Sequence, residues 1–210
     1  VKLYIYEHCP FCARARLAFG LKGVAHDTEI IMEGDAETPT RLIGKKAVPI
    51  LQKDDGTHMA ESLDIVHRVD RLGVPMFDGP PDARLDAAGD GLWKAGLPLF
   101  IPRFTKGNFA ELATPEAREA YRRREEKAFG DLEALMSDTP ALLAAIAPKM
   151  EALAPLVDGR TEIGISDIKL WPILRSLSIV KDLPFPTPVR AYAEVLSAKG
   201  RVPLLFEQAM

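Results

Sequence analysis

The stretch from Lys2 to Arg16, KLYIYEHCPFCARAR, constrains this chain more than any other. Lys2-Leu3-Tyr4-Ile5-Tyr6 has the aromatic and branched composition of a short strand. Glu7-His8-Cys9 then turns the corner into Pro10-Phe11-Cys12-Ala13-Arg14-Ala15-Arg16, which reads as the first turns of a helix. Pro10 suits the first helical position, where its missing N–H costs nothing. Cys9 is thereby set at the N-cap, facing unpaired backbone N–H groups and the positive end of the dipole. Both favour the thiolate. Thiols so placed have pKa values of about 3.5–7.5, so Cys9 is expected to be a nucleophile at neutral pH. Cys12 lies one turn deeper on the same face, close enough to close a disulfide. Structural zinc would need a second Cys or His pair at matching spacing, and His8, His26, His58 and His67 show none. The expectation is a redox pair without a metal.

Composition limits the setting of that dithiol. A chain of 210 residues has room for one large or two small domains, and 47% apolar content supports a real core. The first 75 residues carry 10 Lys+Arg against 11 Asp+Glu, and the remainder 17 against 19. Neither part is basic, which leaves a nucleic-acid or anionic-membrane partner without electrostatic support. No signal peptide is expected, and no apolar run approaches the roughly 18 residues that span a bilayer. With both cysteines in one motif, none remain for structural bridges, which fits a reducing compartment. A soluble, cytoplasmic monomer is expected.

Further along, Asp27 to Ile31 reads as a second strand, and the β-α-β unit favours parallel pairing through a right-handed crossover. Thr38-Pro39 opens a short helix that stops at Gly44. Val48 to Gln52 reads as a strand with proline at its entrance, Asp54-Asp55-Gly56 as a turn, and His58-Met59-Ala60 as the returning strand of a hairpin. Ser62 caps a third helix with Leu63, Val66, Val69 and Leu72 at helical spacing. The order β-α-β-α-β-β-α over residues 1–72 is that of a thioredoxin-like α/β domain. Residues 73–82, rich in glycine and proline, read as a linker, and residues 83–210 as an all-α domain. Thr114-Pro115, Thr139-Pro140 and Thr187-Pro188 each pair a capping hydroxyl with a proline at the first helical position, as Thr38-Pro39 does. Leu170, Ile173, Leu174 and Leu177 mark a core helix that Pro172 should kink. Trp171 and Trp93 read as packing anchors.

Two elements are expected to converge on Cys9. One is Val48-Pro49, ahead of the hairpin; in a thioredoxin-like domain a proline here is cis and lies against the dithiol. The other is Glu61-Ser62. A helix N-terminus bearing a hydroxyl can receive an α-carboxylate, and Glu61 could pair with an α-ammonium. On the residues alone, Ser62 capping its own helix explains the stretch equally well.

The chain resembles a glutaredoxin, and specifically the two-domain bacterial members of that family, whose architecture is similar to that of glutathione transferases. The resemblance is carried by KLYIYEHCPFCARAR, DAETPTRLIGKKAVPILQKDDG, ESLDIVHRVD, PRFTKGNFAE and SDIKLWPILRSL. It implies a glutathione-dependent thiol–disulfide oxidoreductase acting on glutathione mixed disulfides and protein disulfides. It implies Cys9 as the attacking thiol and Cys12 as the resolving one. It further implies glutathione contacts at Val48, Glu61 and Ser62, with Tyr6 and a cis Pro49 lining the site. Phe11 stands where most of the family carry tyrosine, and Gly164 where a Ser or Thr would form a capping box with Asp167. Glutathione transferases and chloride intracellular channel proteins share the two-domain form. A transferase would leave Cys12 without a role, and no hydrophobic hairpin lies near Leu21 to Ile31 to support membrane insertion.

Overall fold

The computed structural model covers residues 1–210. Its sheet has four strands, β1 (Lys2–Ile5), β2 (Asp27–Ile30), β3 (Ile50–Gln52) and β4 (His58–Met59), in the spatial order β2-β1-β3-β4. β1 pairs parallel with β2, setting Leu3 opposite Thr28, and antiparallel with β3, setting Leu3 opposite Leu51. The crossover from β1 to β2 is α1 (Pro10–Leu21); α2 (Glu37–Ile43) and α3 (Ser62–Asp70) complete the thioredoxin-like part. Everything beyond is helical: α4 (Ala83–Phe104), a 3-10 turn (Ala110–Leu112), α5 (Pro115–Phe129), α6 (Leu132–Ser137), α7 (Thr139–Val157), α8 (Ile165–Leu177) and α9 (Thr187–Gly200), then a closing 3-10 turn (Phe206–Gln208). The two-domain plan of glutathione transferases is therefore the fold.

Several helix starts differ from expectation, and at α2 the reason is a better acceptor upstream. Only Thr114 behaves as read, its hydroxyl accepting from the Ala117 N–H at 3.2 Å with Pro115 first in α5. In α2, Asp35 rather than Thr38 supplies the oxygen, accepting from the Thr38 N–H at 3.0 Å, and the helix already begins at Glu37. Thr139 and Thr187 are each the first helical residue rather than the cap. Ser62 likewise opens α3 from inside, after a left-handed turn at Glu61 (φ 66°).

The 3.6-residue pattern around Pro172 marks the most enclosed helix of the molecule. From Ser166 to Leu177 only Lys169 escapes burial, and α8 stays continuous through the proline. Trp171 is fully buried, and its Nε1 donates to the Ala193 carbonyl at 2.9 Å. Half of the capping box survives at Gly164, whose N–H donates to Asp167 Oδ2 at 2.8 Å; glycine has no side-chain oxygen for the other half. Arg160 and the Tyr192 hydroxyl also donate to Asp167, so this buried carboxylate is fully used.

The linker is pinned at both ends. The Asp70 carboxylate accepts from the N–H groups of Met76 and Phe77 at 2.7 and 3.0 Å, and the Phe77 ring is buried. Asp82 caps α4, and its own N–H donates to Ser166 Oγ.

Forty-five buried residues form one continuous cluster that includes both domains, so the two share a core. Its tightest point is between α1 and α9. A Cβ built on Gly20 would lie 1.8 Å from the Gly200 carbonyl oxygen, so only glycine allows the helices this approach. On the opposite side the contact is polar. Glu33 is buried and receives Arg124 of α5 through two bonds of 2.6 and 2.8 Å, while its N–H donates to the Glu111 carbonyl.

One sequence reading needs correcting. α7 is long and apolar enough, by length and composition alone, to cross a membrane, and 22% of that window is buried. Lys149 and Glu151 interrupt the run, which is why it does not read as an unbroken apolar segment. Its buried residues, Ile146, Met150, Leu153 and Val157, recur at helical spacing and face the bundle.

Candidate active site

β1 delivers the chain to the start of α1, where Cys9 is the N-cap with extended backbone (φ −64°, ψ 122°) and Pro10 the first helical residue. Both cysteines are free thiols. They occupy opposite electrostatic environments three residues apart. The Cys9 thiol is lowered to about 7, first by the hydrogen bond from the Cys12 thiol. Burial works against that, and the His8 imidazole and the N–H groups of Cys12 and Phe11 add to it. The helix start therefore contributes as the sequence suggests, but the second cysteine leads. Cys12 is fully buried, and burial, followed by the adjacent Cys9, pushes its thiol well above the ordinary range. Its Sγ accepts from the Tyr6 N–H at 3.5 Å.

Cys9 opens onto a cavity of about 410 Å³ between the domains. Tyr6, Phe11 and Val48 line it from the thioredoxin-like side, and Trp93, Tyr121 and Arg124 from the helical side. The Phe11 ring is 42% exposed, lies 5.7 Å from that of Trp93, and carries the Arg14 guanidinium at 5.2 Å. Trp93 is thus half-buried cavity wall as well as packing anchor. Burial pushes the Tyr6 hydroxyl far above its ordinary value, so Tyr6 is a neutral wall.

The Val48–Pro49 bond is cis. Val48 makes no backbone hydrogen bond inside the protein, which leaves its N–H and C=O for a bound peptide-like molecule. Glu61 and Ser62 lie outside the cavity lining, at the start of α3. Ser62 is buried, and its hydroxyl accepts from Arg14 Nη1 at 3.1 Å. The Ser62 N–H and the next two have no backbone acceptor, as at any helix start. Glu61 is exposed and meets Lys45 at 2.7 Å. Its left-handed backbone costs a non-glycine residue of order 1 kcal/mol, a strain characteristic of ligand-clamping positions.

Residues 91–209 match the family model described as glutaredoxin 2, C terminal domain, and residues 3–74 match that of the glutathione S-transferase N-terminal domain. The chain belongs to the glutaredoxin 2 family. It is 39% identical to glutaredoxin 2 of Escherichia coli K12, with both chains covered in full. Among solved structures it superposes on glutaredoxin 2 from Salmonella typhimurium in complex with glutathione with a TM-score of 0.96, at 36% identity, covering 100% of this chain and 98% of that one. Glutathione transferase GSTFuA2 from Phanerochaete chrysosporium shares the fold alone, with a TM-score of 0.67 at 16% identity over 96% of this chain and 98% of that one.

Sequence reasoning missed the helical domain's share of the site. His8 was legible as a neighbour of Cys9, but its partner Glu111 lies 103 positions away, and no local pattern announces it.

Proposed function

We propose that this member of the glutaredoxin 2 family is a glutathione-dependent thiol–disulfide oxidoreductase in which Cys9 attacks and Cys12 resolves. The carrying observation is the contrast between the two thiols. Cys9 is poised near 7 in the wall of the cavity, and Cys12 is held protonated and fully buried one turn further along α1. A thiolate near ambient pH combines a useful ionised fraction with retained nucleophilicity. Attack on a glutathione mixed disulfide forms a Cys9–glutathione disulfide and expels the other thiol. A second glutathione then releases Cys9. With a protein disulfide, Cys12 closes on the Cys9 adduct instead and frees the substrate.

The donor set suits glutathione. Val48 offers an unpaired backbone N–H and C=O, and the start of α3 with Ser62 offers N–H groups to the γ-glutamyl carboxylate. Glu61 offers its carboxylate to the α-ammonium. Tyr6 and Pro49 form the wall around the reacting sulfurs. The chain's own residues thus orient the tripeptide, while the apolar side of the cavity accepts the departing group. A monomer in the reducing cytoplasm would suit this chemistry, since the Cys9–Cys12 disulfide left by each protein substrate must be reduced again by glutathione.

Single replacements test the division of labour. Cys9→Ser is expected to abolish glutathione-dependent reduction of both substrate types, and measurable turnover in that variant would sink the nucleophile assignment. Cys12→Ser should keep activity on glutathione mixed disulfides and lose it on intramolecular protein disulfides. Equal loss on both would make Cys12 a structural residue.

A further inference from the structure

His8 adjoins the nucleophile in sequence yet is held from the other domain. Its backbone N–H and its ring Nδ1 converge on one oxygen, Glu111 Oε1, at 2.9 and 2.6 Å. Burial pushes the Glu111 carboxyl up, but the hydrogen bonds from the His8 ring and N–H, with the nearby charge of the ring, outweigh it and keep it below the ordinary range. Glu111 is therefore a carboxylate, and a carboxylate only accepts, so Nδ1 carries a proton. That leaves Nε2 as the working nitrogen. Nε2 makes no hydrogen bond within the protein and is not sealed by packing, and His8 lines the cavity onto which Cys9 opens.

Joining the two domains does not by itself require this arrangement. Glu111 is fully buried, and its second oxygen, Oε2, has no partner. A buried carboxylate left half satisfied costs stability, and an apolar side chain would serve the packing better. A histidine is the side chain suited to giving and taking a proton near neutrality.

We propose that His8, fixed by Glu111 as a positioning residue, is the general acid and base of disulfide exchange at Cys9. The inference rests on the oxidoreductase reading. In the first step the Cys9 thiolate bonds to the glutathione sulfur, the disulfide breaks, and the leaving thiolate takes the proton of the imidazolium Nε2. In the second, neutral Nε2 takes the proton of the incoming glutathione thiol. That thiolate attacks the Cys9–glutathione disulfide, giving oxidised glutathione and the Cys9 thiolate. His8 ends as it began.

The surroundings favour proton traffic through this one group. Tyr6 stacks on the ring at 5.7 Å, and Tyr121 meets it edge-on at 5.0 Å; burial pushes both hydroxyls up, so neither competes. Phe104 and Phe109 close the remaining sides at 5.3 and 5.8 Å. The other ionisable groups near the pair are Glu7, Cys9 at the head of α1, Cys12 on α1, the Glu33–Arg124 ion pair, and Lys46 and Glu125 in the same cavity wall. Behind Glu111, Arg16 of α1 and Arg175 of α8 feel its charge, as does Cys12.

The test is the dependence of rate on the leaving thiol. Two glutathione mixed disulfides are compared, one releasing 2-mercaptoethanol and one releasing a nitrothiophenol. An aryl thiolate leaves readily without a proton, whereas an alkyl thiolate benefits from one. In His8→Asn, which keeps a donor for Glu111, we expect a loss of about 100-fold on the alkyl substrate and only a few-fold loss, from the raised Cys9 thiol, on the aryl one. Glu111→Gln, which keeps shape and an acceptor, should show a smaller loss confined to the alkyl substrate, and it decides the matter if His8→Asn does not fold. Equal losses on both substrates would mean that His8 only tunes Cys9, and would overturn the proposal. A wild-type protein inactive on both substrates would instead overturn the oxidoreductase reading itself.

Discussion

Two of the seams at which the domains of this protein meet are built on opposite principles. Between α1 and α9 the contact is steric: Gly20 faces the Gly200 backbone. At the far side, where β1 ends, it is ionic and hydrogen-bonded, with Glu33 gripping Arg124 and Glu111 gripping His8. Close packing is the cheaper way to join two surfaces, since ion pairs must first recover their desolvation cost. The polar seam lies beside Cys9 and the apolar one at the far end of α1. The difference assigns cohesion to one and chemistry to the other.

The largest effect expected is on the apolar seam. Gly20→Val places atoms inside the Gly200 backbone, so α1 and α9 must separate, at a cost of about 3 kcal/mol or more in urea unfolding. Unchanged stability would show that the helices can slide apart freely. The same variant should leave the folded protein's Cys9 titrating near 7, because its determinants lie at the other end of α1.

Acid should open the other seam. The Glu111 carboxyl is depressed in the folded state. Its contribution is therefore fully present above the ordinary glutamate value of about 4.3 and is lost as pH falls through its lower folded value. Unfolding free energies of wild type and Glu111→Gln, about 1–2 kcal/mol apart near neutrality, should converge as pH drops through that range. A gap that stays constant with pH would remove Glu111 from the titrating groups. Glu33→Gln is a milder cut across the same seam. Arg124 remains 41% exposed and keeps Glu125 at 2.8 Å, so about 1 kcal/mol is expected by the same unfolding measurement. A loss as large as that of Gly20→Val would erase the distinction between the seams.

The smallest effect is the most local. Iodoacetamide alkylation followed against pH should place Cys9 near 7, and His8→Asn should move it upward, since the imidazole is one of the groups that lower it. Movement in the opposite direction would mean that desolvation, not the imidazole, dominates that side of the thiol.

These seams also explain which features could be read from the sequence. The Cys9-Pro10 start of α1, the hairpin of β3 and β4, and the burial of Leu170, Ile173, Leu174 and Leu177 depend on neighbours within a few positions, and all were legible. The Thr-Pro starts were legible as helix starts, but not to the residue. Asp35, for instance, outcompetes Thr38 from three positions upstream, and sequence alone does not rank such acceptors. Glu61 and Ser62 were placed correctly at the head of α3, but the left-handed turn that denies Ser62 the capping role has no glycine to announce it. Glu111 and Gly200 were beyond reach, because each matters only to a residue on the other domain.

The position of Cys9 also decides which disulfides can be reached. Its side chain is 9% exposed and lies in the wall of a hollow of about 410 Å³, a volume suited to a small molecule. A disulfide lying flat on a folded surface would meet the side chains that share this wall, such as Phe11 and Trp93, before it met the sulfur. A disulfide on a flexible stalk, or one carried by a tripeptide, passes. With Cys9 as the proposed nucleophile, such a wall would sort disulfides by protrusion before any question of redox potential arises.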